Sequence, residues 1–144
     1  MIIIGINAYH ADSSAAIFVN GEMIAATEEE RFRRVKHWAG FPSEAVKFCL
    51  REAGVTLDQV DYVCIGRDPK AKIWKKTGYV LKNLLKKNTL LSDRIKNSQK
   101  IASIEEELAA LSGLSEAAVK PKIKNVEHHR SHLASAFFAS PFFV

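Results

Sequence analysis

Residues 13–29, SSAAIFVNGEMIAATEE, decide the fold. Two apolar runs, Ser13 to Val19 and Glu22 to Glu29, flank Asn20-Gly21. Asn-Gly is the strongest short-range hairpin signal, because both central positions of a type I′ turn need positive φ. The stretch therefore reads as two antiparallel strands. Outward on the N-terminal side, Met1 to Asn7 is a third apolar run, continuous enough to be a strand buried on both faces. A turn, Ala8 to Asp12, joins it to the hairpin. The three strands form an antiparallel meander.

Outward on the C-terminal side, Arg31 to Lys36 is dense in cations, and His37 to Phe41 is loop-like, with Gly40 and Pro42 as punctuation. Ser43 suits an N-cap and Glu44 the first turn of a helix. Val46, Cys49, Leu50 and Ala53 then recur at helical spacing, and Gly54 closes the helix. Val60 to Ile65 is a short strand. Lys72 to Lys87 reads as an amphipathic helix with Trp74, Leu81, Leu84 and Leu85 on its apolar face. A second helical stripe follows in Ile101, Ile104, Leu108 and Leu111, with Gly113 past its end. A short helix is expected over Ser115 to Val119. Lys122 to Val126 is a strand, and Leu133 to Phe138 reads as a final helix. The predicted order is βββαβαβα in a mixed sheet, with residues 70–113 as a basic helical insert packed on one side. That α/β order matches a ribonuclease-H-like half-domain of the actin and Hsp70 ATPase kind, and fold alone does not set activity.

The 144 residues are one domain's worth of chain, and 47% apolar with 26% charged content is ordinary for a globular protein. No apolar run approaches the ~20 residues that cross a bilayer, which argues against a membrane protein. Met1 to Ile6 lacks the basic flank of a signal peptide. Cys49 and Cys64 stand alone in apolar patterns, which reads as buried, reduced thiols in a cytoplasmic protein. Lys70 to Lys100 holds ten Lys or Arg against Asp93 alone, a net +9, which leaves about −4 for the rest of a chain whose total is +5. Such a segment is either a solvated helical face beside an anion site or a nucleic-acid surface. No RNP-like aromatic pattern or zinc-finger spacing supports nucleic acid.

Three of the five histidines fall within His128-His129-Arg130-Ser131-His132. If His128 starts the last helix, His128 and His132 lie ~40° apart around its axis and ~6 Å along it. Two imidazoles so placed can share a metal ion, whereas His129 points ~100° away. The bland alternative is polar residues capping a helix start. In the first turn, backbone N–H groups and the hydroxyls of Ser13 and Ser14 could meet phosphates, although the loop lacks the glycines of a P-loop. In the run from Glu28 to His37, the cations either gather around an anion or pair with the three acids.

Taken together, the residues Gly5 to Ala16, the block E-E-R-F-x-R-x-K-H over Glu29 to His37, Phe41-Pro42 and H-H-x-x-H over His128 to His132 resemble the N-terminal part of the NodU/CmcH-type carbamoyltransferases, in a Kae1-like domain. The resemblance covers nearly the whole chain. It implies an O-carbamoyltransferase that moves a carbamoyl group from carbamoyl adenylate, made from ATP and carbamoyl phosphate by a separate YrdC-like domain, to a hydroxyl of a small-molecule acceptor. It implies a divalent metal, iron or else zinc or manganese, on His128 and His132. It implies His10 and Lys36 at the carbamoyl adenylate; Ser13 and Ser14 of the first turn and Arg33 of the cation run are expected beside them as cofactor contacts. Ala11 departs from the pattern, since family members often carry a histidine there. An Asp-Gly metal motif, the second half of the domain and the YrdC-like domain are expected beyond Val144. The chain is thus expected to be a piece, inactive by itself. A non-catalytic ribonuclease-H-like binding module and a nucleic-acid-binding protein remain the alternative readings.

Overall fold

The computed structural model describes residues 1–66 and 104–138. The expected meander is present. Strand β1 spans Ile2–Asn7, β2 Ser14–Val19 and β3 Glu22–Glu28. β2 pairs antiparallel with both neighbours, and a bulge falls between Ile17 and Phe18. The hairpin link is Asn20-Gly21, with φ of 53° and 91° as a type I′ turn demands.

After β3 comes a one-turn helix, α1 (Glu30–Arg33), where the sequence reading had only a strand exit. Arg34 ends it in the left-handed region at φ 58°. Helix α2 spans Ser43–Glu52 and lays Ala45, Val46, Cys49 and Leu50 on the sheet. Gly54 follows it at φ 64°, a conformation that costs glycine nothing. Strand β4, Tyr62–Ile65, then pairs parallel with β1. Residues 104–112 form helix α3, Glu116–Val119 helix α4, Ile123–Asn125 strand β5 and His128–Phe138 helix α5. β5 pairs parallel with β4, and Val126 extends the ladder by donating to the Ile65 carbonyl at 2.8 Å. The expected strand start at Lys122 moves to Ile123, because Lys120–Lys122 with Pro121 forms a 3₁₀ turn.

The strand order is β3-β2-β1-β4-β5, so the mixed sheet has three antiparallel strands followed by two parallel additions. This is the ribonuclease-H-like arrangement. By register, Ile4, Ile6, Ala15, Ile17, Val63 and Ile65 share one face. That face meets α2, while Ile104 and Leu108 of α3 and Val119 of α4 complete the core. β1 is therefore fully buried on one face alone: Ile3 and Gly5 on the other are half-covered, which corrects the expectation of burial on both. Ile104 and Leu108 are 3% and 0% exposed, as their stripe predicted. Trp74, Leu81, Leu84 and most of the 70–113 insert lie outside the described residues.

Ser43 does not cap α2. The cap comes from Glu29, at the end of β3. Its carboxylate accepts from the backbone N–H groups of Glu44 at 3.3 Å and Ala45 at 2.8 Å, while Ser43 Oγ donates to it at 3.4 Å. Glu29 is 0% exposed, so the negative charge at the helix's positive end is taken wholly out of water.

Candidate functional site

β1, β4 and β5 run in the same direction, and their carboxyl ends open onto a common cleft. Open α/β sheets bind ligands at this end of their strands. A cavity of about 350 Å³ lies there, lined by Asn7 and His10 from the first turn, Ile65 and Gly66 from the end of β4, and His128. A shallower hollow of about 680 Å³ adjoins it across the sheet face opposite α2, with Ser14, Ser131 and Ser135 on its walls.

β5 ends at Asn125, and α5 begins three residues later at His128. Ser131 N–H donates to the Glu127 carbonyl at 3.1 Å, and Arg130 N–H to the Glu127 carboxylate at 3.1 Å, so Glu127 caps the helix. His128 Nδ1 lies 3.3 Å from the Gly66 carbonyl, a contact that needs a proton on Nδ1. That tautomer leaves Nε2 with its lone pair, and this atom lies 3.0 Å from His132 Nε2. The rings meet edge to face with centroids 4.5 Å apart, whereas His129 stands 6.0 Å from His128.

Two nitrogens ~3.0–3.4 Å apart are what a metal ion with cis N ligands at ~2.1 Å requires. The pair therefore fits a divalent cation by spacing and donor type. Among the described residues no cluster of three or more His, Cys, Asp or Glu could complete the shell.

The other predicted site residues separate. His10 joins His128 at the cleft; its Nδ1 lies 3.3 Å from the Ala11 carbonyl. Ser14 faces the adjoining hollow. Lys36 is exposed on the loop after α1, away from the walls of either space. Ser13 is 1% exposed, and its hydroxyl donates inward to the carbonyls of His10 at 3.1 Å and Gly40 at 2.8 Å. Arg33 donates through Nε to Glu29 at 2.7 Å and through Nη2 to Ser43 at 2.9 Å, and its guanidinium stacks 4.4 Å above the Trp38 ring. Ser13 and Arg33 are thus engaged within the fold, not turned to the cleft.

Several residues that shape the site escaped the sequence reading. Asn7 Nδ2 donates to the Asp12 carbonyl at 3.1 Å and holds the first turn. His37 Nδ1 sits 2.8 Å from Asp12 Oδ1, which raises the His37 pKa through that hydrogen bond first and the charge of Asp12 second. The Glu29–Arg33 pair has a local signal, since acid and cation four apart meet on a helix. The Asp12–His37 pair has none.

The carbamoyltransferase N-terminus family matches residues 2–144. The uncharacterized protein sll1178 of Synechocystis is 36% identical over 145 residues, which cover 97% of this chain and 23% of that protein. The nodulation protein NolNO of Sinorhizobium fredii is 39% identical over 57 residues, 40% of this chain and 8% of that protein. The chain thus spans under a quarter of the length of these two relatives. YeaZ from Pseudomonas aeruginosa superposes with a TM-score of 0.44 at 15% identity, over 88% of this chain and 43% of that one.

Proposed function

The chain belongs to the carbamoyltransferase N-terminus family, and from that premise we propose that it is the N-terminal portion of an O-carbamoyltransferase. The reaction is transfer of a carbamoyl group from carbamoyl adenylate to a hydroxyl of a small-molecule acceptor. A YrdC-like domain, here a proposed partner, supplies the adenylate from ATP and carbamoyl phosphate. In the transfer step the acceptor oxygen bonds to the carbamoyl carbon. The bond from that carbon to the phosphate oxygen breaks, AMP leaves with the electron pair, and the hydroxyl proton passes to a base.

The observation that supports this reading is the meeting of His10 and His128 at one cleft at the carboxyl ends of β1 and β4. The tautomer in which His10 Nδ1–H donates to the Ala11 carbonyl leaves Nε2 to accept the hydroxyl proton. Ser14, on the wall of the adjoining hollow, is assigned to the adenylate. His128 and His132 are the pair that would hold a divalent ion, iron, zinc or manganese. Such an ion, when bound, supplies Lewis-acid polarisation. The Gly66 carbonyl fixes the His128 ring so that Nε2 faces His132.

The test is carbamoyl transfer from carbamoyl phosphate and ATP in the complete protein that carries this chain. His10→Ala and His128→Ala should each lower kcat by about 10²-fold or more, the scale of a lost proton-transfer or electrostatic group. Wild-type transfer rates in both variants would overturn the assignment.

A further inference from the structure

Six residues, 8–13, link β1 to β2 and carry His10 to the cleft. The link contains no glycine, yet Tyr9 and Asp12 take left-handed φ values of 56° and 62°. Non-glycine residues hold such angles when surrounding contacts impose them. Those contacts come from residues 37–40. Tyr9 N–H donates to the Gly40 carbonyl at 3.2 Å, and Ser13 N–H to the Trp38 carbonyl at 3.0 Å. Ser13 Oγ reaches the same Gly40 carbonyl at 2.8 Å.

The clamping segment is itself held by stacking. The Trp38 ring covers Gly40 so closely that a Cβ there would lie 2.8–2.9 Å from three indole atoms. Arg33 lies on the Trp38 ring at 4.4 Å and is tied to buried Glu29 at 2.7 Å. The indole Nε1 is buried, and among the described residues it has no hydrogen-bond partner. What the ring brings to the segment is its face, packed over Gly40.

We propose that Arg33 and Trp38 are positioning residues that fix the His10 turn at the cleft, acting through the Gly40 carbonyl. The chain of contact runs from Glu29 to Arg33, Trp38, Gly40 and then Tyr9 and Ser13. None of the intermediate side chains need touch substrate. The proposal rests on the reading that His10 works in the cleft, but the clamp is testable apart from it.

The clamp is read by amide hydrogen exchange on the 144-residue chain. Trp38→Ala should speed exchange of the Tyr9 and Ser13 amides about tenfold or more, while Ile4 and Ile17 in the sheet keep their protection. Trp38→Phe, which restores a ring over Gly40, should recover most of it, and Arg33→Ala should give an intermediate loss. Unchanged Tyr9 and Ser13 amides, or a loss spread equally over the sheet, would overturn the clamp. In the complete protein, Trp38→Ala should lower kcat with KM nearly unchanged, and Trp38→Phe should restore it. A fall confined to KM, or none, would overturn positioning. Wild-type protein with no carbamoyl transfer would defeat the proposed function, and the exchange pattern would still decide the clamp.

Discussion

His37 Nδ1 and Asp12 Oδ1 stand 2.8 Å apart and join the first turn to the loop that follows α1, across 25 positions of sequence. The same histidine takes a second tie, because its backbone N–H donates to the Glu30 carboxylate at 3.2 Å. His37 adopts φ 54°, so side chain and backbone are both committed.

That pair gives a pH dependence of known sign. Asp12 raises the His37 pKa in the folded chain, by its hydrogen bond first and its charge second; desolvation opposes, and the charge of Glu30 adds least. The stabilisation is fully present below the unfolded histidine value and is lost as pH rises through the higher folded value. The His37 Cε1–H resonance should therefore titrate above the same signal in urea-unfolded chain. Asp12→Asn should return most of that rise. Equal midpoints in folded and unfolded chain would refute the pair.

The two thiols should react unequally. Cys49 is 0% exposed, and burial pushes its pKa up to about 11. Its thiol also donates to the Ala15 carbonyl at 3.5 Å. Cys64 is half-buried and its pKa is raised by burial, with Lys124 pulling it back. Thiolate is the reactive form, so a thiol reagent at pH 8 should modify Cys64 slowly and Cys49 only on unfolding. Rapid labelling of Cys64→Ser would show that Cys49 is accessible.

Glu29 should matter more to stability than an acid beside four cations suggests. Its buried carboxylate caps α2 and holds Arg33. Glu29→Ala removes a helix cap and hydrogen bonds to a charged acceptor, a loss of about 2–4 kcal/mol. The Arg33 share is small, because its side chain is 36% exposed and screened. Glu29→Gln keeps one acceptor and should cost about half as much. Urea unfolding measures both, and a loss below ~0.5 kcal/mol for Glu29→Ala would contradict the capping role.

What could be read from the sequence was local. The Asn20-Gly21 turn carries its geometry in two residues, and Gly54 and Gly113 close their helices with positive φ where the stripes end. The last helix was legible over Leu133 to Phe138, and its start at His128, on which the pairing of His128 with His132 depends, is fixed by the structure. Contacts across long separations were not legible. Ser43 looked like the cap of α2 because it stands at the helix start, but Glu29, 15 residues before Glu44, occupies the place. Arg33 looked like an anion ligand because four cations crowd one stretch. Its actual neighbours, Glu29 and Trp38, flank it in sequence on opposite sides, and choosing them over a ligand needs the folded chain.

The histidine pair makes the sharpest prediction. His128 and His132 place their Nε2 atoms 3.0 Å apart, a spacing one cation can bridge. Two imidazoles are fewer than the three or more protein ligands of a tight site, so calorimetric titration of the chain should show weak binding. Affinity should follow Mn(II) < Fe(II), with Zn(II) tighter than either. It should fall as pH drops through the histidine range, since only neutral imidazole coordinates. His128→Ala and His132→Ala should each abolish the heat. His129→Ala should leave most of it, because that ring stands 6.0 Å from His128. Binding that survives His128→Ala and disappears with His129→Ala would place the metal on the wrong side of α5 for the cleft, and the site assignment would fall with it.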